Sequence, residues 1–210
     1  MNPEEANRFL DASGETDWAA LFELALATGL RPGEYLGLPW TAIDWDRGRI
    51  EVFKSAIFPK GSPPFIGAPK TKASRRSIPL DESTMEKLRD HRQDQLSDIM
   101  RAGPDWSREL NLVFPAANGE IWCEQSFRRY TFSKVQKKAG LKGFSHYSLR
   151  HTCATLLLLA GENPKVVAER MGHSTIKQTM DTYSHVLPTM QAGATEKLSR
   201  MLCLGKTGRI

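Results

Sequence analysis

The spacing of apolar and polar positions changes twice along the chain, from helical to alternating and back to helical. Asn2 ahead of Pro3-Glu4-Glu5 predicts a helix start, with a side-chain cap, a proline at the first helical position and acids at the positive end of the dipole. Phe9 and Leu10 supply its apolar face. A second helix is predicted from Asp17 through Trp18, Leu21, Phe22, Leu24 and Ala25 to a stop at Gly29. Pro32 then opens a short helix through Glu34, Tyr35 and Leu36. From Ile43 the period shortens. Asp46-Arg47-Gly48 reads as a turn, and Arg49 to Ile57 alternates as a strand. Pro59 to Pro69 reads as an exposed loop, because its prolines and glycines cannot sustain a ladder. Arg76 to Leu80 is expected to close one small antiparallel sheet. Helical spacing then resumes: Asp81 caps a long amphipathic helix with Met85, Leu88, Leu96 and Ile99 on one face, ended by Gly103. Further helices are predicted over 124–139, 148–160 and 164–171 and from Pro188, with Gly140, Gly161 and Gly172 as stops. The expected fold class is α+β, predominantly α-helical with one small antiparallel sheet, and no break in pattern divides the chain.

Composition narrows the class. With 210 residues, 40% hydrophobic and 25% charged, the chain can bury one sizeable core. No run approaches the ~20 apolar residues of a membrane-spanning helix; the run at Leu156 to Ala160 ends at Gly161. The amino end carries acids where a secretory signal carries bases, so a cytoplasmic protein with no membrane partner is expected. Cys123, Cys153 and Cys203 lack zinc-ligand or redox spacing, so neither a metal nor a disulfide framework is expected.

Charge adds a partner class. The net charge is +5, unevenly spread: residues 1–50 carry four Lys/Arg against nine Asp/Glu, leaving a surplus of +10 on the rest. A basic body behind an acidic leading segment suits a polyanion such as nucleic acid.

Two segments carry the chemistry. One is Thr28-Gly29-Leu30-Arg31-Pro32-Gly33-Glu34. The other runs from Tyr147-Ser148-Leu149-Arg150-His151-Thr152 through a leucine run and Met171-Gly172-His173-Ser174 to Asp181-Thr182-Tyr183-Ser184-His185. Together they resemble the tyrosine recombinase (phage integrase) family, whose signature is Arg, Lys, His or Lys, Arg, His and Tyr in that order. The resemblance covers nearly the whole chain and includes a tyrosine ten positions after the histidine of the Gly-His pair.

It implies a catalytic domain that cuts and rejoins DNA without metal or other cofactor, through a 3′-phosphotyrosine intermediate at Tyr183. A phosphate ester of tyrosine retains the bond energy of the phosphodiester, so reversal reseals the strand. A free phenol, with a pKa near ~10, is a poor nucleophile at neutral pH, and charge gathers on the phosphate in transit. Fixed cations stabilise that state more than the ground state. The resemblance assigns this to Arg31 and Arg150, whose planar forks suit phosphate oxygens, with Glu34 helping to hold Arg31. It places the acid for the leaving 5′ oxygen on the hairpin lysine, Lys70, with Lys72 as the rival. Arg75 or Arg76 is expected to make non-specific phosphate contacts, and His173 to bond a non-bridging oxygen.

One position departs from the family. Three residues before Arg150, where a histidine is usual, stands Tyr147, and His146 lies one residue earlier; Tyr147 fits the spacing, and His146 is the alternative. His151 is expected to be a buried hydrogen-bonding neighbour. The polar surroundings of Tyr183 predict an exposed or mobile side chain. The tail 184–210 carries an apolar stripe, Val186, Leu187, Met190, Leu198 and Met201, expected to dock on a neighbouring protomer or on the chain's own core. The implied partners are double-stranded DNA attachment sites, further copies of the chain assembled as a homo-oligomer (a tetramer) on DNA, and accessory DNA-bending proteins near the nucleoid. The catalytic domain is expected to fill residues 1–210 with no N-terminal core-binding domain ahead of it. An accessory DNA-binding protein or an inactive remnant is the alternative reading.

Overall fold

The computed structural model describes residues 1–68, 72–183 and 195–202. Helix α1 (Pro3–Gly14) begins as its sequence dictates: Asn2 Oδ1 accepts from the Glu5 amide at 2.8 Å, and the Glu5 carboxylate accepts from the Asn2 amide at 2.9 Å. This reciprocal pair satisfies two donors that a helix start leaves open. Helix α2 (Ala19–Thr28) is apolar nearly all round and correspondingly buried. It ends on Gly29 in a left-handed conformation, and α3 (Pro32–Leu36) follows at once.

The predicted strand from Arg49 to Ile57 is broken. Strand β1 (Ile43–Asp44) pairs with β2 (Arg49–Val52), after which the chain leaves the sheet at Phe53-Lys54. Strand β3 (Ser55–Ile57) instead pairs with β4 (Phe65–Gly67), which lies inside the segment expected to be a bare loop. Strand β5 (Arg76–Pro79) returns to β2, giving an antiparallel sheet in the order β1-β2-β5 with Ile50 opposite Ile78. The split has a packing cause. β3 lies directly against the backbone of α3, where a Cβ on Gly33 would sit 2.4 Å from the Ala56 carbonyl oxygen.

Helix α4 (Glu82–Ala102) is capped by Asp81, which accepts from the Thr84 amide at 2.9 Å. Its inner face is not the one expected. Met85 and Leu88 are buried, but Leu96 is 53% exposed and its neighbour Gln95 is buried instead. Gln95 accepts from Trp40 Nε1 at 2.6 Å and donates to the Leu112 and Val113 carbonyls. That bonding offsets the cost of an amide in the core, so an apolar count alone misplaces the face by one residue.

The helix predicted over 124–139 forms as α5 (Glu124–Phe127), a π-helical stretch (Arg128–Phe132) and α6 (Ser133–Lys138). The wider turn brings residues five apart onto one face, so Phe127 and Phe132 both reach the core and both meet Phe22, with centroids at 6.2 and 6.1 Å. Helices α7 (His146–Leu159) and α8 (Pro164–Met171) follow. Helix α9 (Ile176–Thr182), capped by Thr175, has too few apolar residues to show a period and was not anticipated. Of the helix expected from Pro188, residues 188–194 lie outside the described residues and 195–201 are helical.

The main core unites α1, α2, α4, the sheet and the aromatic side chains of the π-helical segment. Each fully buried large apolar side chain contributes on the order of 1.5–3 kcal/mol. A second, smaller cluster joins α7, α8 and the end of α9: Cys153, Ala154, Leu158, Val167, Met171 and Tyr183. The candidate chemistry lies where the two meet.

Candidate active site

Three arginines and one carboxylate organise the site. Glu34 on α3 is 2% exposed. Its carboxylate accepts from Arg31 Nη1 at 2.9 Å and from the Arg31 amide at 2.9 Å, and from Arg76 Nη1 and Nη2 at 3.0 and 2.8 Å. Burial alone would raise its pKa, but the hydrogen bonds and charges of Arg76 and then Arg31 outweigh that and hold it below the usual carboxylate range. The sequence anticipates the Arg31–Glu34 pair. It does not anticipate Arg76, expected on phosphate but found with its side chain only 7% exposed, clamped between Glu34 and the Arg170 carbonyl. Arg76 therefore positions Glu34 and is not a surface phosphate contact. Arg75 remains exposed.

Arg150 reaches the same place from α7. Its Nη1 donates to the Gly29 carbonyl at 2.7 Å and its Nη2 to the Met171 carbonyl at 2.5 Å. Arg31 Nη2 donates to the next carbonyl, Gly172, at 3.1 Å. Two guanidinium groups distant in sequence thus meet on consecutive carbonyls, directly ahead of His173. Burial, then repulsion from Arg31, lowers the Arg150 pKa to about 10, so it is still charged at neutral pH. Gly172 makes the turn possible: its φ is +65°, and a Cβ there would lie 2.9 Å from Arg76 Nη1.

His173 is half-buried, with Nδ1 2.7 Å from the hydroxyl of Thr179, a fully buried residue of α9. Burial first, then the charges of Arg150, Arg31 and Arg76, lowers its pKa to about 4, so the free protein holds it neutral. The bond fixes the orientation of the ring, and the tautomer in which the hydroxyl donates to Nδ1 carries its proton on Nε2. Thr179 left no trace in the sequence, because α9 itself was not visible there.

Tyr183 overturns one expectation. It is not exposed: it is 2% accessible and packed in the smaller core cluster. Asp181 and Thr182 lie on the outer side of α9, while Tyr183 closes that helix against α7 and α8. Its hydroxyl lies 3.1 Å from His151 Nδ1. His151, expected to be buried, is exposed on one side. Burial raises the Tyr183 pKa and Arg150 opposes the rise.

The two rivals before Arg150 separate in space. Tyr147 is 47% exposed and lines a cleft of about 620 Å³ with Arg31, Glu34, Glu124, Gly172 and Ser174. His146 turns inward, its Nε2 3.1 Å from Glu124 and its ring edge-on to Phe127 and Phe132. Lys70 lies outside the described residues, as do Ser184 to Met190 with His185, and Cys203; Lys72 begins a single 3₁₀ turn, Lys72–Ser74. Arg31 and Tyr147 line this cleft, with Arg150 and His173 bonded into the structure behind it, while Tyr183 and His151 line a separate depression with Ser148 and Thr152. Paired cations beside a phenol suit an anionic tetrahedral group.

Comparison with known proteins identifies the family. The chain is 34% identical over 209 residues to the tyrosine recombinase XerC-like protein of Caldanaerobacter subterraneus subsp. tengcongensis, covering 95% of this chain and 53% of that protein. It is 28% identical over 206 residues to the ICEBs1 integrase of Bacillus subtilis, covering 95% and 54%. The chain thus spans about half the length of the curated relatives it matches. Its fold matches that of the Tn1549 transposon integrase in complex with transposon right end DNA, with a TM-score of 0.76 and 24% identity over 95% of this chain and 65% of the other. It also matches the catalytic domain of bacteriophage HP1 integrase, with a TM-score of 0.59 and 19% identity over 100% and 98%. The phage integrase family pattern spans residues 1–190 and so includes every residue of the site; the chain belongs to the phage integrase family.

Proposed function

We propose that this chain is the catalytic part of a site-specific DNA recombinase, which breaks and rejoins strands through a phosphate ester on Tyr183. The observation that carries the reading is the convergence of Arg31 and Arg150 on the carbonyls of Gly172 and Met171, beside His173 and within the charge field of the Tyr183 cluster. Arg31 and Arg150 bind the non-bridging oxygens and stabilise the charge that develops in transit. His173, protonated on Nε2, donates to one of those oxygens. Tyr147 takes the place of the usual histidine and orients the phosphate with its hydroxyl. Lys70, with Lys72 as its rival, protonates the leaving 5′ oxygen. Arginine charge supplies what a metal supplies elsewhere, so the reaction proceeds without one.

The Tn1549 integrase, whose structure holds transposon DNA, supports double-stranded DNA as the partner. Exchange between two duplexes needs four cleavages, so the active assembly is a tetramer on DNA, aided by DNA-bending proteins and working at the nucleoid. Leu198, Met201 and Leu202 stand exposed near the end of the chain and suit docking of the tail on a neighbouring protomer.

Covalent trapping tests the reading. The chain is incubated in chelator with nicked duplexes of randomised sequence, and denaturation-resistant protein–DNA adducts are recovered and sequenced. Adducts enriched for one sequence are expected; DNA binding with no adduct would mark an accessory or inactive protein.

A further inference from the structure

His151 has no role in the strand-transfer reading, yet it is the histidine that touches the nucleophile. It follows Arg150 on α7, and its Nδ1 lies 3.1 Å from the Tyr183 hydroxyl, with ring centroids 5.9 Å apart. The other described histidines are committed elsewhere: His91 to the Val113 carbonyl, His146 to Glu124 and His173 to Thr179. Tyr147, in the family's histidine slot, is itself a phenol, and its pKa is raised by burial. It cannot serve as a base at neutral pH.

We propose that His151 is the proton acceptor for Tyr183, an inference that rests on the strand-transfer reading. As the Tyr183 oxygen bonds to phosphorus, the phenolic proton passes to the unprotonated Nδ1 of His151. The bond from phosphorus to the 5′ oxygen breaks, and that oxygen takes a proton from the lysine ammonium of the strand-transfer reading. Rejoining reverses both transfers, and the proton returns from His151 to the phenol.

The surroundings favour a neutral imidazole. Arg150 precedes His151 on α7, and His173 approaches from the turn after α8. Burial, then Arg150, lowers the His151 pKa. A free lone pair is therefore present at neutral pH, beside a phenol whose ring is packed among Cys153, Leu158 and Met171.

The test is single-turnover adduct formation across pH 5 to 9, on a nicked duplex selected from the randomised pool. The wild-type rate should fall toward the acid end, with its midpoint below the ordinary histidine value of about 6.5 because the His151 pKa is lowered. His151→Phe should slow the reaction about 100-fold and abolish that acid limb without weakening DNA binding. His151→Gln, which keeps a hydrogen-bond acceptor but no titrating base, should do the same and carries the test if the phenylalanine variant fails to fold. Near-wild-type rate and pH profile in His151→Gln would overturn the proposal and leave the strand-transfer reading intact. Absence of any adduct from the wild type would overturn both.

Discussion

Arg76 and Glu34 face each other through two hydrogen bonds, of 3.0 and 2.8 Å, and this pair fixes where Arg31 stands. Arg76 comes from β5 and Glu34 from α3, so the bond ties the sheet to the helix that carries Arg31. The same carboxylate accepts from the Arg31 guanidinium and the Arg31 amide. One buried anion thereby sets the spacing of two cations, with Arg150 alongside.

Glu34→Gln should be strongly destabilising. It removes the negative charge but leaves Arg76 buried, and breaking a buried pair by removing one partner costs about 3–5 kcal/mol. Urea denaturation at neutral pH measures the loss. A change within experimental error would mean that the carboxylate does not hold the arginines.

Thr179→Val should lower the rate of adduct formation about 10-fold while leaving DNA affinity unchanged, because an orienting partner of a working histidine is commonly worth that much. Loss of the hydroxyl frees the His173 ring to adopt the other tautomer. Thr179→Ser should restore the rate. If Thr179→Val and Thr179→Ser behave alike, the hydroxyl has no orienting role.

Acid should destabilise the fold before any carboxylate titrates in the unfolded chain. His173 has a folded pKa of about 4 against an ordinary value of 6.5, so between those values the unfolded chain binds more protons. Its contribution to stability is present above pH 6.5 and is lost as pH falls toward 4. His91, His146 and His151 shift in the same direction. Glu34, also depressed, adds a loss at still lower pH. Thermal melting from pH 8 to 4 should show the decline, and His173→Gln should flatten it; an unchanged slope in that variant would rule out His173 as its source.

Gly172→Ala should cost at least about 1–2 kcal/mol from the left-handed backbone alone. It also presses a methyl group onto Arg76, which Glu34 prevents from yielding. Since the Gly172 carbonyl receives Arg31, adduct formation should fall more than melting temperature. Equal DNA cleavage by wild type and variant would show that the turn tolerates a side chain.

What the sequence made legible was local chemistry. Asn2, Asp81, Gly29 and Gly172 end or begin helices through bonds and backbone conformations that span a few residues, and those boundaries appear in the structure where they were expected. Arg31, Arg150, His173 and Tyr183 were legible through the resemblance of their motifs to the phage integrase family, and the fold brings them into one region. The breaks came where a distant partner decides. Residues 49–57 alternate enough to read as one strand, yet β3 leaves the sheet because α3 offers it a glycine-lined surface. Gln95 replaces Leu96 on the inner face because Trp40 and two carbonyls bind it. Tyr183 looked exposed because its neighbours in sequence are polar, but its neighbours in space are Cys153, Val167 and Met171. Arg76 looked like one more basic residue of a hairpin, but Glu34 stands between it and Arg31.

The most direct test of the central claim is the identity of the residue that carries the DNA. Adducts trapped on a nicked duplex are digested with nuclease and protease, and the peptide bearing the nucleotide remnant is sequenced by mass spectrometry. The account predicts a single modified position, Tyr183, and no adduct from Tyr183→Phe although that variant still binds DNA. A remnant on any other residue, or an adduct that survives Tyr183→Phe, would contradict it.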